Sequence, residues 1–111
     1  MEHRMNLCNS PFLSIKSGKK TVEMRLNDEK RSIIHKGDTI IFLNIDTNEE
    51  IIVKVIETTV YKDFFDLYKH YNKVDIGYKE NEISDPQDMF QYYSSDKIEK
   101  YGALAIKIEL R

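Results

Sequence analysis

One eight-residue segment, Gly18-Lys19-Lys20-Thr21-Val22-Glu23-Met24-Arg25, constrains the fold more than any other part of the chain. After Lys20, polar and apolar residues alternate, which is the period of a β-strand with one buried side. The polar side holds Thr21, Glu23 and Arg25. The apolar side holds Val22, Met24 and Leu26. We therefore expect a strand over residues 20–26 that packs its apolar side into a core and turns its charged side toward a solvent-filled groove.

The charged residues of this segment suit a polar anionic ligand such as a nucleotide. Gly18 gives the backbone freedom just before two ammonium groups, Lys19 and Lys20. A guanidinium such as that of Arg25 binds phosphate or carboxylate with two parallel hydrogen bonds. Glu23 could accept hydrogen bonds from a base amino group or a sugar hydroxyl, or it could pair with Arg25.

The same segment resembles the signature of the ASCH family, in which glycine, lysine, glutamate and arginine fall where Gly18, Lys20, Glu23 and Arg25 stand here. Three more segments resemble that family in the expected order: residues 9–18 (its first helix), 36–42 (a glycine-aspartate followed by an apolar strand) and 101–106 (its last strand). Together they span nearly the whole chain. The resemblance implies one ASCH domain over residues 1–111, with a PUA-like β-barrel and helices packed on one side.

Periodicity alone predicts an α+β fold. Five expected strands with two or three short helices suggest a small mixed barrel, and with the resemblance we expect a PUA-like mixed barrel of about five or six strands. The expected strands cover residues 3–8, 20–26, 39–45, 51–60 and 103–110. Helical segments are expected after Asn9 or Ser10, over 27–34 and 63–68, from Asp85-Pro86 to Tyr93, and from Ser95 to about Lys100. We also expect the first strand to lie beside the 20–26 strand.

Composition narrows the functional classes. The 111 residues suffice for one domain, and no apolar stretch approaches the length of a membrane span. The N-terminus lacks the apolar region of a secretion signal, and the lone Cys8, expected to be buried, cannot form an internal disulfide. We therefore expect a cytoplasmic protein. The sequence contains no metal-ligating set and no cofactor motif, so we predict neither a metal nor a cofactor.

Charge is unevenly distributed along the chain. The net charge is −2, but residues 1–36 carry eight Lys/Arg against four Asp/Glu, and residues 37–111 carry nine against fifteen. The balances are therefore +4 and −6. A basic excess around the 18–25 segment could attract an anion toward one cleft, although a mixed solvated surface would show the same composition.

Several side chains are candidates for a binding site. Lys20, Glu23 and Arg25 follow from the strand pattern, and Lys20 and Glu23 would be the catalytic pair if the protein is an enzyme. His3 and Asn6 lie on the expected first strand and could line the same cleft. The resemblance adds Tyr93 and Ser94, because the helix before the last strand borders the cleft in that family.

The leading functional hypothesis is an RNA- or nucleotide-binding module, which the family resemblance implies and the basic N-terminal third supports. The first alternative is a small hydrolase acting on RNA or a modified nucleoside through a Lys20/Glu23 acid–base pair. Some small ASCH proteins resemble amidohydrolases acting on N4-acetylcytidine, but their threonine nucleophile falls at Glu23 here, which makes that activity unfavourable. The second alternative is a protein-interaction domain that uses the acidic 75–99 segment.

Overall fold

A computed structural model describes all residues, 1–111. Five strands form one sheet: β1 (Glu2–Leu7), β2 (Val22–Leu26), β3 (Thr39–Asn44), β4 (Glu50–Tyr61) and β5 (Ala103–Leu110). Their order is β1-β3-β4-β5-β2, with β1 parallel to β3 and all other neighbours antiparallel. The sheet curls into a half-barrel. The domain is α+β and consistent with a PUA-like fold, which confirms the expected fold class.

Short helices connect the strands: α1 (Asn9–Lys16), α2 (Phe64–Tyr68), a 3-10 helix (Pro86–Gln91) and α3 (Ser95–Tyr101). Three of them begin at side-chain caps, since Asp63, Asp85 and Ser94 each accept a hydrogen bond from a backbone N–H two or three residues later. None of the helices has both the length and the apolar character needed to cross a membrane.

The sheet packs on both faces. Its concave face and α1 enclose the main core, which consists of Met5, Leu7, Phe12, Ile15, Ile34, Ile40, Phe42, Val53, Val55, Leu104, Ile106 and Ile108. The opposite face packs against α2, the 3-10 helix and α3 in a second core, which consists of Val22, Leu26, Phe64, Leu67, Ile76, Met89, Ile98, Ala103 and Ala105. Strand β5 contributes alternate residues to the two cores, as expected for a strand covered on both sides.

Two expectations were wrong and a third holds only in part. Strand β1 forms its ladder with β3 and shares none with β2, although Arg25 of β2 donates a hydrogen bond to the Asn6 carbonyl of β1 across the open side of the half-barrel. Residues 27–34 form turns instead of a helix, since the Asp28 carboxylate and carbonyl both accept the N–H of Arg31 and close the chain locally. Cys8, the N-cap residue of α1, is exposed and not buried.

Candidate functional site

Within β2 (Val22–Leu26) the two sides are separated as the alternation predicts, but Thr21, expected on the charged side, lines a cavity together with Val22. Val22 and Leu26 belong to the second core, and Met24 packs against it. Glu23 and Arg25 lie opposite Ile106 and Leu104 of β5, both main-core residues, so the charged side of β2 faces the concave side of the half-barrel. Contrary to the expected solvent-facing groove, Lys20 and Glu23 are buried, with 8% and 3% of their surface exposed.

Glu23 is the centre of a charged network. Its Oε1 atom accepts hydrogen bonds from Lys20 Nζ at 2.7 Å and from the Met24 backbone N–H at 3.2 Å. Its Oε2 atom accepts from Nε and Nη2 of Arg25, at 3.1 and 2.9 Å. A carboxylate offers about four acceptor positions. All of them are therefore occupied by groups of this segment.

This network keeps Glu23 ionised. Burial raises the pKa of Glu23, but the positive charges of Lys20 and Arg25 and the hydrogen bonds they donate outweigh burial and lower the pKa to about 2. Near neutral pH the cluster therefore holds one buried negative charge between two positive ones. The geometry makes Glu23 a fixed anchor for two cations rather than a proton acceptor.

Residues 72–78 hold Lys20 in place from outside the sheet. The Asp75 carbonyl accepts the N–H groups of both Thr21 and Val22, at 3.0 and 2.9 Å, and so fixes this segment against the start of β2. Gly77 has a φ of +112°, and a Cβ atom there would lie 3.3 Å from Cδ of Lys20. A glycine at this position therefore allows both the backbone conformation and the close approach to the lysine stem.

Arg25 joins the two edge strands of the half-barrel. Its Nη2 atom donates to the carbonyl oxygen of Asn6 in β1 at 3.1 Å, across the gap between two strands that share no ladder. We call this gap the β1–β2 seam. The side chain of Arg25 is 15% exposed. The Nη1 group of Arg25 has no hydrogen-bond partner within the chain. The only buried side-chain polar atom without a partner is Oδ1 of Asn27, so Nη1 is not buried and reaches solvent.

The concave face becomes exposed two strands away from Arg25. Following the strand register outward from Arg25, the same row continues to Leu104 of β5 and Val60 of β4. Leu104 is buried, but Val60 is 56% exposed.

The structure brings Lys20, Glu23 and Arg25 together, but not the other four candidates. Asn6 joins them only through its backbone carbonyl, since its side chain is exposed. His3 Nε2 instead contacts Asp38 Oδ2 at 2.8 Å. Tyr93 stacks on Phe64 at a ring-centroid distance of 5.9 Å, and Ser94 is the N-cap residue of α3. The contacts of these last three residues serve the fold.

Two cavities lie outside the predicted site. One, of about 370 Å³, is lined by Lys62, Asp63, Phe64, Phe65, Pro86, Phe90, Ser95, Ile98 and Glu99. The other, of about 430 Å³, is lined by Thr21, Val22, Glu57, Thr59, Tyr61, His70, Tyr71, Asp75 and Lys107. Sequence reasoning missed the second set because its members come from four separate segments. Only Thr21 and Val22 lay within the segment singled out beforehand.

Comparison with known proteins agrees with this architecture. The family model for the ASCH domain matches residues 5–111. The crystal structure of hypothetical protein PH0355 is similar over 100% of both chains, with 31% identity and a TM-score of 0.85. The solution structure of protein PF0455 from Pyrococcus furiosus is also 31% identical, with a TM-score of 0.75 over 99% of this chain and 97% of that one.

A third structure, an ASCH domain from Lactobacillus crispatus JV V101, shares the fold at 10% identity, with a TM-score of 0.70 over 98% of this chain and 79% of that chain. No curated protein matches the sequence. The fold and the match over residues 5–111 define a small PUA-like domain, and the chain belongs to the ASCH domain family. That family is generally thought to bind RNA.

Proposed function

We propose that this protein binds RNA or a nucleotide at the β1–β2 seam, with Arg25 contacting phosphate. The proposal rests on the hydrogen bonds and the solvent access of the Arg25 side chain. Glu23 and the Asn6 carbonyl engage its Nε and Nη2 groups, and the Nη1 group reaches solvent. A guanidinium fixed in this way loses little side-chain entropy when it binds a phosphate.

Two further features support the proposal. The family is generally thought to bind RNA, and residues 1–36, which include this cluster, carry the basic excess of the chain. The Lys20–Glu23–Arg25 cluster itself has a net charge of +1. Local positive charge in an otherwise acidic molecule favours approach of a polyanion at this position over the rest of the surface.

The geometry does not favour the hydrolase alternative. A general base needs a free acceptor position and a pKa near the working pH. Glu23 has all four acceptor positions occupied, and its pKa is lowered to about 2. A Lys20/Glu23 acid–base pair would first have to break this buried network.

The test is binding of a short fluorescent RNA, measured by anisotropy at several salt concentrations. Arg25→Ala should weaken binding about tenfold or more and lower the slope of log affinity against log salt by about one. Arg25→Lys keeps the charge but loses the forked geometry. It should therefore bind more weakly than wild type while retaining most of the salt slope.

The matched control is Arg111→Ala, which removes the same charge from an exposed residue. Arg25 lies opposite Leu104, so Arg111 is roughly 20 Å further along the sheet at ~3.3 Å per residue. Thermal melts should show that each variant is folded at the assay temperature. Equal affinities for Arg25→Ala and Arg111→Ala would contradict a role for the seam in RNA binding.

A further inference from the structure

The 370 Å³ cavity lies in the layer of short helices that covers the sheet. Its lining comes from residues 62–65 at the start of α2, from the 3-10 helix and from α3, and none of it comes from β1 or β2. The volume falls within the range of ligand pockets. This cavity is therefore separate from the β1–β2 seam, and what it binds does not depend on RNA binding there.

The floor of the cavity is apolar and its rim is aromatic. Phe64 and Ile98 are buried and belong to the second core. Phe65 and Phe90 lie with their ring centroids 6.1 Å apart and their planes at 51°, and 42% and 45% of their surface is exposed. Half-exposed aromatic rings beside a cavity offer a large apolar contact area to a partner that covers them.

The charged groups at the cavity are free to meet a partner. The side chains of Lys62 and Glu99 form no hydrogen bond or ion pair within the chain, and both residues are exposed. Asp63 uses only its Oδ1 atom, which accepts the N–H of Asp66 and so caps α2. The Oδ2 atom of Asp63 and the carboxylate of Glu99 therefore remain available to hydrogen-bond donors from another molecule.

The elements that form the cavity are acidic. Residues 62–68 and 85–101 together carry six Asp or Glu against three Lys, a net charge of −3. The rest of the chain carries thirteen acidic residues against fourteen Lys or Arg, a net charge of +1. The negative charge of the protein is thus concentrated in the segments around the cavity, where it attracts cations and repels polyanions.

We infer that the cavity is a docking site for a basic peptide segment of another protein. One or two large apolar side chains of that segment enter beside Phe65 and Phe90. Its flanking lysine or arginine side chains face Asp63 and Glu99. The apolar contact supplies most of the affinity, and the surrounding negative charge selects the flanking cations and speeds association. Because the acidic residues extend beyond the cavity along both ranges, a peptide can use them and a small molecule cannot.

The test is a titration of the ¹⁵N-labelled protein with the end-blocked peptide Lys-Lys-Leu-Phe-Lys-Lys up to concentrations on the order of 1 mM, which detects even weak binding. The amides of residues 62–66 and 95–99 and of Phe90 should shift. Two matched peptides separate the contributions: one has Ala-Ala in place of Leu-Phe, and the other has glutamate in place of every lysine. Each should bind at least about tenfold more weakly.

Three results would overturn the assignment. The first is an absence of shifts around the cavity, and the second is equal binding by the glutamate peptide. The third is a shift of the same amides with protein concentration alone, which would identify a second copy of this chain as the occupant.

Variants locate the docking site. Phe90→Ala should weaken binding of the lysine peptide about tenfold, and Glu99→Gln about threefold. Both positions are exposed, so both variants should remain folded. The controls are Leu110→Ala and Glu109→Gln, which make similar changes at exposed positions of β5 outside the cavity and should bind like wild type. Arg25→Ala should leave peptide binding unchanged. Equal losses in Phe90→Ala and Leu110→Ala would refute docking at the cavity.

Discussion

The buried carboxylate of Glu23 should control the stability of this domain, and Glu23→Gln tests this directly. The substitution keeps the size of the side chain but removes the charge that compensates Lys20 and Arg25. Removing one partner of a buried ion pair typically costs about 3–5 kcal/mol, because the remaining charges stay buried without compensation. We expect a loss of this size in the free energy of unfolding at pH 7.

The pH dependence gives an independent estimate of the same interaction. The pKa of Glu23 falls from 4.5 to about 2 on folding, and a difference of about 2.5 pKa units corresponds to ~3 kcal/mol. Because the folded pKa is the lower one, this stabilisation is fully present above pH 4.5. It should be lost progressively as the pH falls toward 2. Glu23→Gln should lack this component.

The assay is urea unfolding followed by circular dichroism, since the chain has no tryptophan. Wild type and Glu23→Gln should differ by ~3 kcal/mol or more at pH 7, and the difference should shrink toward pH 2. Glu109→Gln, at an exposed position of β5, should change stability by less than about 0.5 kcal/mol. If Glu23→Gln were as stable as Glu109→Gln at pH 7, the carboxylate would not be the anchor described here.

Two other substitutions test the stability of the fold outside the Lys20–Glu23–Arg25 cluster. Asp38→Asn should destabilise the protein less than Glu23→Gln does. Hydrogen bonds from His3 and from the His35 backbone lower the pKa of Asp38 to about 2, so the loss should be complete only above about pH 3.8. Equal urea midpoints for wild type and Asp38→Asn at pH 6 would count against this. Gly102→Ala should lower the free energy of unfolding by more than about 2 kcal/mol, since φ is +78° and the new Cβ would lie 2.7 Å from the Tyr61 carbonyl oxygen. Gly18→Ala is the control: φ is +83° but the space around it is open, so it should lower the free energy of unfolding by only about 1–2 kcal/mol. Equal losses of stability in the two variants would contradict the steric argument.

Sequence patterns were informative where local chemistry decides the outcome. The alternation over residues 22–26 predicted correctly which side of β2 is charged. Asp85-Pro86 predicted the start of a helical segment, which is a 3-10 helix. The four segments similar to the ASCH family identified the fold. These features depend on neighbours within a few residues, which a single sequence displays.

Long-range pairing was not visible in the same way. The parallel ladder between β1 and β3 was not expected, because parallel pairing has no hairpin turn to indicate it. The burial of Glu23 was also missed, since charged residues are rarely fully buried unless they are paired. The sequence pattern indicated its partners Lys20 and Arg25, but it did not indicate that the segment around Gly77 packs against Lys20. A β-bulge at Ile56, which turns Glu57 toward the 430 Å³ cavity, has no signature in the sequence.

The most direct test of the seam as an RNA site is the ¹H–¹⁵N spectrum of the arginine Nε–H groups during titration with a short RNA. The chain has only four arginines, at positions 4, 25, 31 and 111, so the spectrum can be assigned by substitution. The Nε–H of Arg25 should show the largest shift and remain protected from exchange, because Glu23 holds it. An Arg25 signal that stays unchanged while RNA binds would show that the polyanion contacts another surface.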